Sequence, residues 1–274
     1  MIRPDIHHPT GNQSMWRPRL PPLLAAVLIA IFVITAALSV RNTSATWDEP
    51  FHLAAGVAYL QTGDPRLNWD HPPLARLIAS LPVWLTPIDP IAKQSPTAWK
   101  SADVLNAPNG SLDTFEERLL WSSRLTILSL AILLGSLIYA WGSELFGPKA
   151  ALLPVALYAF CPPLLANAPL VATDLTITTL MFAAVYAWWR YLQAASRGWL
   201  LWTCLFVSLS FTAKFTAIAL VPIFFLLGAL SFLGNAGTQQ PDFRHRLWII
   251  GGAWLAIGLA VWFGINLIYL FDGS

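Results

Sequence analysis

The stretch "TWDEPFH", residues 46 to 52, sets two adjacent carboxylates, Asp48 and Glu49, and a histidine, His52, just after the apolar run "PLLAAVLIAIFVITAALSV". Carboxylates gathered at a membrane edge can act as a general base or bind a divalent cation, and cations beside them can hold a phosphate. Other residues of the same kind follow. "NWDHPPL" supplies Asp70 and His71, "VATDLT" supplies Asp174, "FTAKFTA" supplies Lys214, and "WSSRLTI" places Arg124 about one turn into an apolar segment. Nine of the 14 acidic residues lie between Asp48 and Glu117. Plain structural roles compete for each of them. Asp48 and Glu49 could cap a surface helix, Asp174 could cap the helix after Thr173, His52 and His71 could be face and turn residues, and Lys214 could snorkel to headgroups. Arg124 is harder to set aside, because a buried arginine needs a partner.

These residues must be positioned by membrane helices. Hydrophobic residues make up 56% of the chain and charged ones 11%, which excludes an ordinary soluble domain and points to a polytopic membrane protein. The formal net charge of +2 comes from scattered lysines and arginines, so nucleic acid is not an expected partner. Cys161 and Cys204 sit in or beside apolar runs and suggest neither a disulfide framework nor a zinc site. A bilayer span needs roughly 20 apolar residues. Seven segments meet or approach that length: 22–40, 119–143, 150–168, 172–193, 199–213, 216–233 and 247–271. Lys214 divides a stretch too long for one span, so a helical hairpin is expected to turn there. Residues 1–21 read as a polar leader before a signal anchor.

Short-loop charges set the orientation. Arg17, Arg19, Lys149, Arg190, Arg197, Arg244 and Arg246 fall on one side, taken as cytoplasmic, against weaker signals from Arg41, Arg118 and Arg124. The loop 41–118 is then external, along with Asp174, Lys214 and the terminal "FDGS". This loop carries two expected helices, "DEPFHLAAGVAYLQTGD" with Leu53, Val57 and Leu60 at helical spacing, and "HPPLARLIASLPVWL" opened by Pro72 and Pro73. Both suit a membrane surface. Its sequons at Asn42 and Asn109 matter only in a host that glycosylates them.

Together, "TWDEPFHLAAGVAYLQTGDPRLNWDHPPLARLIASLP", "RLTILSLAILLGSLIYAWGSELFG" and "NAPLVATDLTITTLMFAAVYAWWRYL" resemble the GT-C membrane glycosyltransferases that use polyprenyl-phosphate sugars. The similar groups are bacterial relatives of dolichyl-phosphate-mannose protein mannosyltransferase and of lipid A aminoarabinose transferase, over most of residues 22–233. The resemblance implies an all-α membrane module at 22–274 with about seven transmembrane helices and a helical first external loop. It also implies roles. Asp48 matches the acidic residue opening that loop, the leading candidate for catalytic base or acceptor contact, and Glu49 completes the pair. Asp70 and His71 occupy a second polar motif, Asp174 matches the acidic residue opening the fourth span, Lys214 resembles the lysine of the later hairpin, and Arg124 the arginine opening the second span. A divalent metal held by Asp48, Asp70 and Asp174 is left open.

The activity so implied is transfer of a sugar from a polyprenyl-phosphate carrier to an acceptor hydroxyl of a lipid, glycan or protein. It would take place at the outer face of a bacterial inner membrane, among membrane lipids. Arg124, Lys214 and His71 would hold the phosphate. Members of the group carry further spans and often a soluble external region after these seven, so truncation after Ser274 is an expectation. The rival is a transporter or lipid-binding membrane protein without chemistry, which should place ionisable residues near mid-bilayer, often at broken helices.

Overall fold

The computed structural model describes residues 20–41, 43–63, 70–85, 119–233 and 243–269, with side chains described from 247 in the last segment. Arg17, Arg19, Asn42, Asn109, Arg118, residues 64–69, the side chains of Arg244 and Arg246 and the terminal residues 271–274 lie outside the described residues. Among those described, the regular elements are all helical. They are α1 (Leu20–Val40), α2 (Glu49–Thr62), α3 (Leu74–Ser80), α4 (Trp121–Phe146), α5 (Leu152–Ala159), α6 (Pro162–Asn167), α7 (Asp174–Ala194), α8 (Arg197–Ala213), α9 (Leu220–Leu233) and α10 (Phe243–Ile268). Short 3-10 turns at Leu81–Val83 and Phe215–Ala219 extend α3 and precede α9.

Helix α1, helix α4 and the segment Leu247–Ile268 of α10 are long and apolar enough to cross a bilayer. At 1.5 Å per residue each covers roughly 30 Å or more. The expected third span, 150–168, is not one helix. It breaks at Phe160 and Cys161, because Pro162 and Pro163 lack the N–H groups that a continuing helix needs, and they serve instead to open α6. The expected break at Lys214 is present, with φ −160° and ψ 143° between α8 and the 3-10 turn. Past that break α9 packs chiefly on α7, while α10 packs on α8. The two arms of the expected hairpin are therefore splayed.

Two helical groups form the core. In the first, α1, α4 and α5 close around Phe32, Ile127, Leu128, Ala131 and Tyr158. Phe32 and Tyr158 stack at 4.6 Å, and the Tyr158 hydroxyl donates to the Ala131 carbonyl at 2.9 Å. In the second, α7 to α10 close around Trp188, Val207, Phe224 and Ile257. Trp188 lies parallel to Phe224 at 5.0 Å, and its Nε1 donates to the Phe224 carbonyl at 3.1 Å. Such pairs contribute roughly 0.5–1.5 kcal/mol beyond burial, and their polar atoms stay satisfied, as an apolar surround demands. Helices α4 and α7 join the two groups.

Helices α2 and α3 sit at one end of this bundle. Each is seated by tertiary packing. Residues 53–59 of α2 are buried on all sides, so α2 is a packed element and not the half-wet surface helix that Leu53, Val57 and Leu60 alone suggest. It stops at Gly63, whose φ of 72° lets its N–H reach the Tyr59 carbonyl at 2.8 Å. Helix α3 contacts α2, α4 and α8, which bridges the two groups. Gly56 sets the approach. A Cβ at that position would collide with Ser80 Oγ and the Arg76 carbonyl, so glycine lets the α2 and α3 backbones meet.

Candidate active site

At the start of α2 the sequence pair "DE" divides. Glu49 is fully buried, and its carboxylate accepts five hydrogen bonds. Arg124 Nε and Nη2 donate at 2.9 and 2.7 Å, the Thr46 amide and hydroxyl at 2.8 and 3.0 Å, and the Val171 amide at 2.9 Å. Burial pushes the Glu49 carboxyl up, but these donors and the guanidinium charge prevail and hold it below the ordinary carboxylate value. Arg124, 3% exposed, directs its remaining N–H groups to the carbonyls of Val40 and Thr43 (from Nη1, at 3.0 and 2.9 Å) and of Ser44 (from Nη2, at 3.1 Å). All five of its donors are engaged. One ion pair thus ties together the end of α1, the chain leading to α2, α4 and the turn before α7. In this arrangement Arg124 has no N–H left for a phosphate and Glu49 has no vacant acceptor site for a proton, which makes both of them scaffold.

Asp48 differs. It occupies the N-cap position of α2, yet its φ of −85° and ψ of −25° are helical and its side chain caps nothing. The carboxylate is exposed and makes no hydrogen bond or ion pair among the described residues. One turn later is His52, whose ring faces that of His71 at 6.3 Å between centroids and 21° between planes. Burial pushes the His52 imidazole below its ordinary value. The charge of Arg76 adds to this, with smaller contributions from His71 and Lys214, while Asp48 pulls the other way. His52 therefore sits among Asp48, His71, Arg76 and Lys214.

Lys214 donates from Nζ to Asp174 Oδ1 at 2.6 Å. Asp174 is the first residue of α7, and its side chain is 68% exposed. Neither it nor Thr173 caps the helix: Thr173 makes no side-chain cap bond, and Asp174 reaches across to the α8 end. Among the described residues Lys214 has this one acceptor, so two of its three ammonium hydrogens have none. Asp70 is exposed and lies within electrostatic reach of Arg76. Asp48, His71 and Lys214 thus share the surroundings of His52, and Asp174 joins through Lys214. Among the described residues no group of three or more His, Cys, Asp or Glu side chains is arranged to hold a metal ion, so Asp48, Asp70 and Asp174 do not form a ligand set here.

Two residues to which the resemblance gave no role, His52 and Arg76, lie among these groups. His52 is visible in the sequence as the member of "DEPFH" one turn after Asp48. Arg76 carries a subtler signal: it is the one charge in "LARLIASLPVWL", with no carboxylate three or four residues away to pair with it.

The opposite end of the bundle holds a separate polar group. Glu144 accepts from the Tyr186 hydroxyl at 2.7 Å and from Arg190 Nη1 at 3.0 Å, and Arg190 lies over Trp199 at 4.6 Å. Charged residues of α4, α7 and α8 therefore fall near helix ends. The broken segment at α5 and α6 carries no carboxylate, lysine, arginine or histidine, unlike the mid-bilayer charges expected of a transporter.

No curated protein matches the chain. The family model described as dolichyl-phosphate-mannose-protein mannosyltransferase matches residues 114–262, just over half of the chain, a range that includes Arg124, Asp174 and Lys214 and begins after α2 and α3. An all-helical membrane protein matched in this way belongs to the dolichyl-phosphate-mannose-protein mannosyltransferase family, glycosyltransferases of the GT-C type.

Proposed function

We propose that the protein transfers a sugar from a polyprenyl-phosphate carrier to an acceptor hydroxyl at the external face of the membrane, with Asp48 as the general base. The observation that carries this reading is the state of Asp48: a carboxylate in the helix-capping position that caps nothing, exposed beside a cluster of histidines and cations. In one displacement the acceptor oxygen attacks the anomeric carbon, the bond from that carbon to the phosphate oxygen breaks with its electron pair, and the acceptor proton passes to Asp48. The carrier phosphate leaves as an anion. Lys214, with two open N–H groups, stabilises the departing charge. Asp174 holds Lys214 in place, and Asp70 and His71 line the approach from the first loop. Glu49 and Arg124 keep Asp48 where it is.

These groups lie at the end of the helices opposite Glu144 and Arg190, which supports a reading in which a lipid donor presents its headgroup to them. With the leader and the short basic loops inside, that end faces outward and the chain is a multi-pass protein of the inner membrane. Sugar transfer from a panel of polyprenyl-phosphate sugars, with the protein in lipid nanodiscs, tests the reading. Turnover with one donor and its loss in Asp48→Asn is expected. Undiminished turnover in a folded Asp48→Asn protein, or no transfer from any donor by the wild type, contradicts it.

A further inference from the structure

Among the buried polar atoms that lack partners among the described residues are two on the turn into α3 and its first turn: His71 Nδ1 and Arg76 Nη1. Arg76 is 3% exposed, and its Nη2 donates to the His71 carbonyl at 2.7 Å, which folds the "HPPLAR" turn around the guanidinium. A buried arginine whose fork is half empty costs stability that a structure seldom tolerates without a reason. Arg124, equally buried, shows the contrast: every one of its N–H groups is used.

The surroundings reinforce the point. Burial pushes the Arg76 guanidinium down to about 10, with Tyr269, Tyr59 and Asp70 acting against that shift, so the group still carries its charge at neutral pH. No carboxylate pairs with it among the described residues. The backbone behind it is fixed, because Gly56 brings α2 against the Arg76 carbonyl and Ser80 Oγ donates to the Leu53 carbonyl at 3.2 Å. The guanidinium is thereby held rigid from one side and left unsatisfied on the other. His52, turned face to face with His71 and influenced by both Arg76 and Lys214, places this vacancy beside the Asp48 cluster.

We propose that Arg76 and His71 form a phosphate-recognition site, in which Arg76 Nη1 and the ring nitrogen Nδ1 of His71 donate to the non-bridging oxygens of a lipid-linked phosphate. The assignment rests on the glycosyl-transfer reading above and deepens it by adding Arg76, which no part of the resemblance assigns, to His71 as a holder of the donor's anionic group. Arginine suits that task through its planar array of donors, and a rigid, partly desolvated guanidinium binds a phosphate oxygen more strongly than an exposed one. A phosphate held there lies next to Lys214, so that the charge left on the carrier meets two cations.

The test is binding, measured separately from turnover, on the whole chain in nanodiscs with three probes: polyprenyl phosphate, the uncharged polyprenol and inorganic phosphate. Wild type is expected to prefer polyprenyl phosphate over polyprenol. Arg76→Met should lose roughly ten- to a hundredfold of that preference, the range for a hydrogen bond to a charged group. His71→Ala should lose less. Equal binding of the two lipids by wild type, or an unchanged preference in a folded Arg76→Met protein, overturns the proposal. If Arg76→Met does not fold, His71→Ala decides, and an unchanged preference there overturns it. Competition by inorganic phosphate at concentrations comparable to the lipid would assign the site to free phosphate and overturn the lipid-linked assignment. An Arg76-dependent preference in a protein that transfers no sugar would leave this site standing and remove the glycosyl-transfer reading. Undiminished transfer by Arg76→Met would do the reverse.

Discussion

The carboxylate of Glu49 accepts five hydrogen bonds in a buried site, whereas that of Asp48, one residue earlier, is exposed and accepts none among the described residues. The same division separates the two buried arginines. Arg124 has all five donors engaged, and Arg76 leaves Nη1 empty. Charge is shared within each pair, and the two arginines share burial as well, so these properties alone do not separate the members. Unused hydrogen-bonding capacity does. A side chain whose partners all lie within the fold contributes stability and position; one with vacant capacity can respond to something that arrives.

The largest expected effect is on turnover. Asp48→Asn removes the base while keeping the size of the side chain, and should slow sugar transfer by about 10²–10⁴-fold, the usual contribution of a general base. Its thermal midpoint should stay near wild type, because Asp48 has no hydrogen-bond or ion-pair partner among the described residues. A comparable loss of stability would place Asp48 with the scaffold.

Glu49→Gln should act in the opposite sense. It leaves the Arg124 charge buried without a counter-ion, for which a cost of about 3–5 kcal/mol is expected. Denaturation of the purified protein, together with the Arg124→Met single and double variants, reads this directly. A Glu49→Gln protein as stable as wild type would show that the clamp does not hold the loop.

Acidity separates the same two regions. The His52 imidazole is lowered from an ordinary value of 6.5, so the unfolded chain takes up a proton there before the folded one does. Stability should therefore fall as the pH drops below about 6.5. Glu49 is lowered from 4.5, so its contribution is present above that value and disappears as the pH falls through the still lower folded value. Melting temperature against pH should show a first decline, absent in His52→Gln, and a second, more acidic one, absent in Glu49→Gln.

Smallest is the stability effect of Asp174→Asn. The Lys214–Asp174 pair is 22% and 68% exposed, so its removal should cost no more than about 1 kcal/mol. Its consequence should appear in the KM for the donor, as Lys214 loses its tether. A large drop in melting temperature would show that the pair is structural.

Much of this arrangement is legible in the sequence. Apolar runs place α1, α4 and α7 to within a few residues, and the interruption at Lys214 marks a real break, because span length and charge are local properties. The common side of Asp174 and Lys214 follows from counting helices. Three features escape that reasoning. Pro162 and Pro163 announce a break in the third segment, yet hydropathy alone carries the run across it. The contrast between Asp48 and Glu49 depends on the local Thr46 amide and hydroxyl and, above all, on Arg124 and the Val171 amide, which only the tertiary fold brings to Glu49. What singles out Arg76 is a buried Nη1 without a partner among the described residues, which spacing within its own helix suggests and only the packed structure shows. The rival of a transporter weakens for a related reason: the described charges of α4, α7 and α8 lie near helix ends, and the helix break at Cys161 holds no carboxylate or cation.

The central claim is that neighbouring carboxylates divide chemistry from scaffold, and the most direct measurement compares them in one preparation. Wild type, Asp48→Asn and Glu49→Gln, in identical nanodiscs, should each be assayed for single-turnover sugar transfer and for thermal midpoint. Transfer lost with stability kept in Asp48→Asn, alongside stability lost in Glu49→Gln, is the expected pattern. Transfer kept in Asp48→Asn, or a Glu49→Gln protein that is as stable as wild type and catalytically dead, would contradict it.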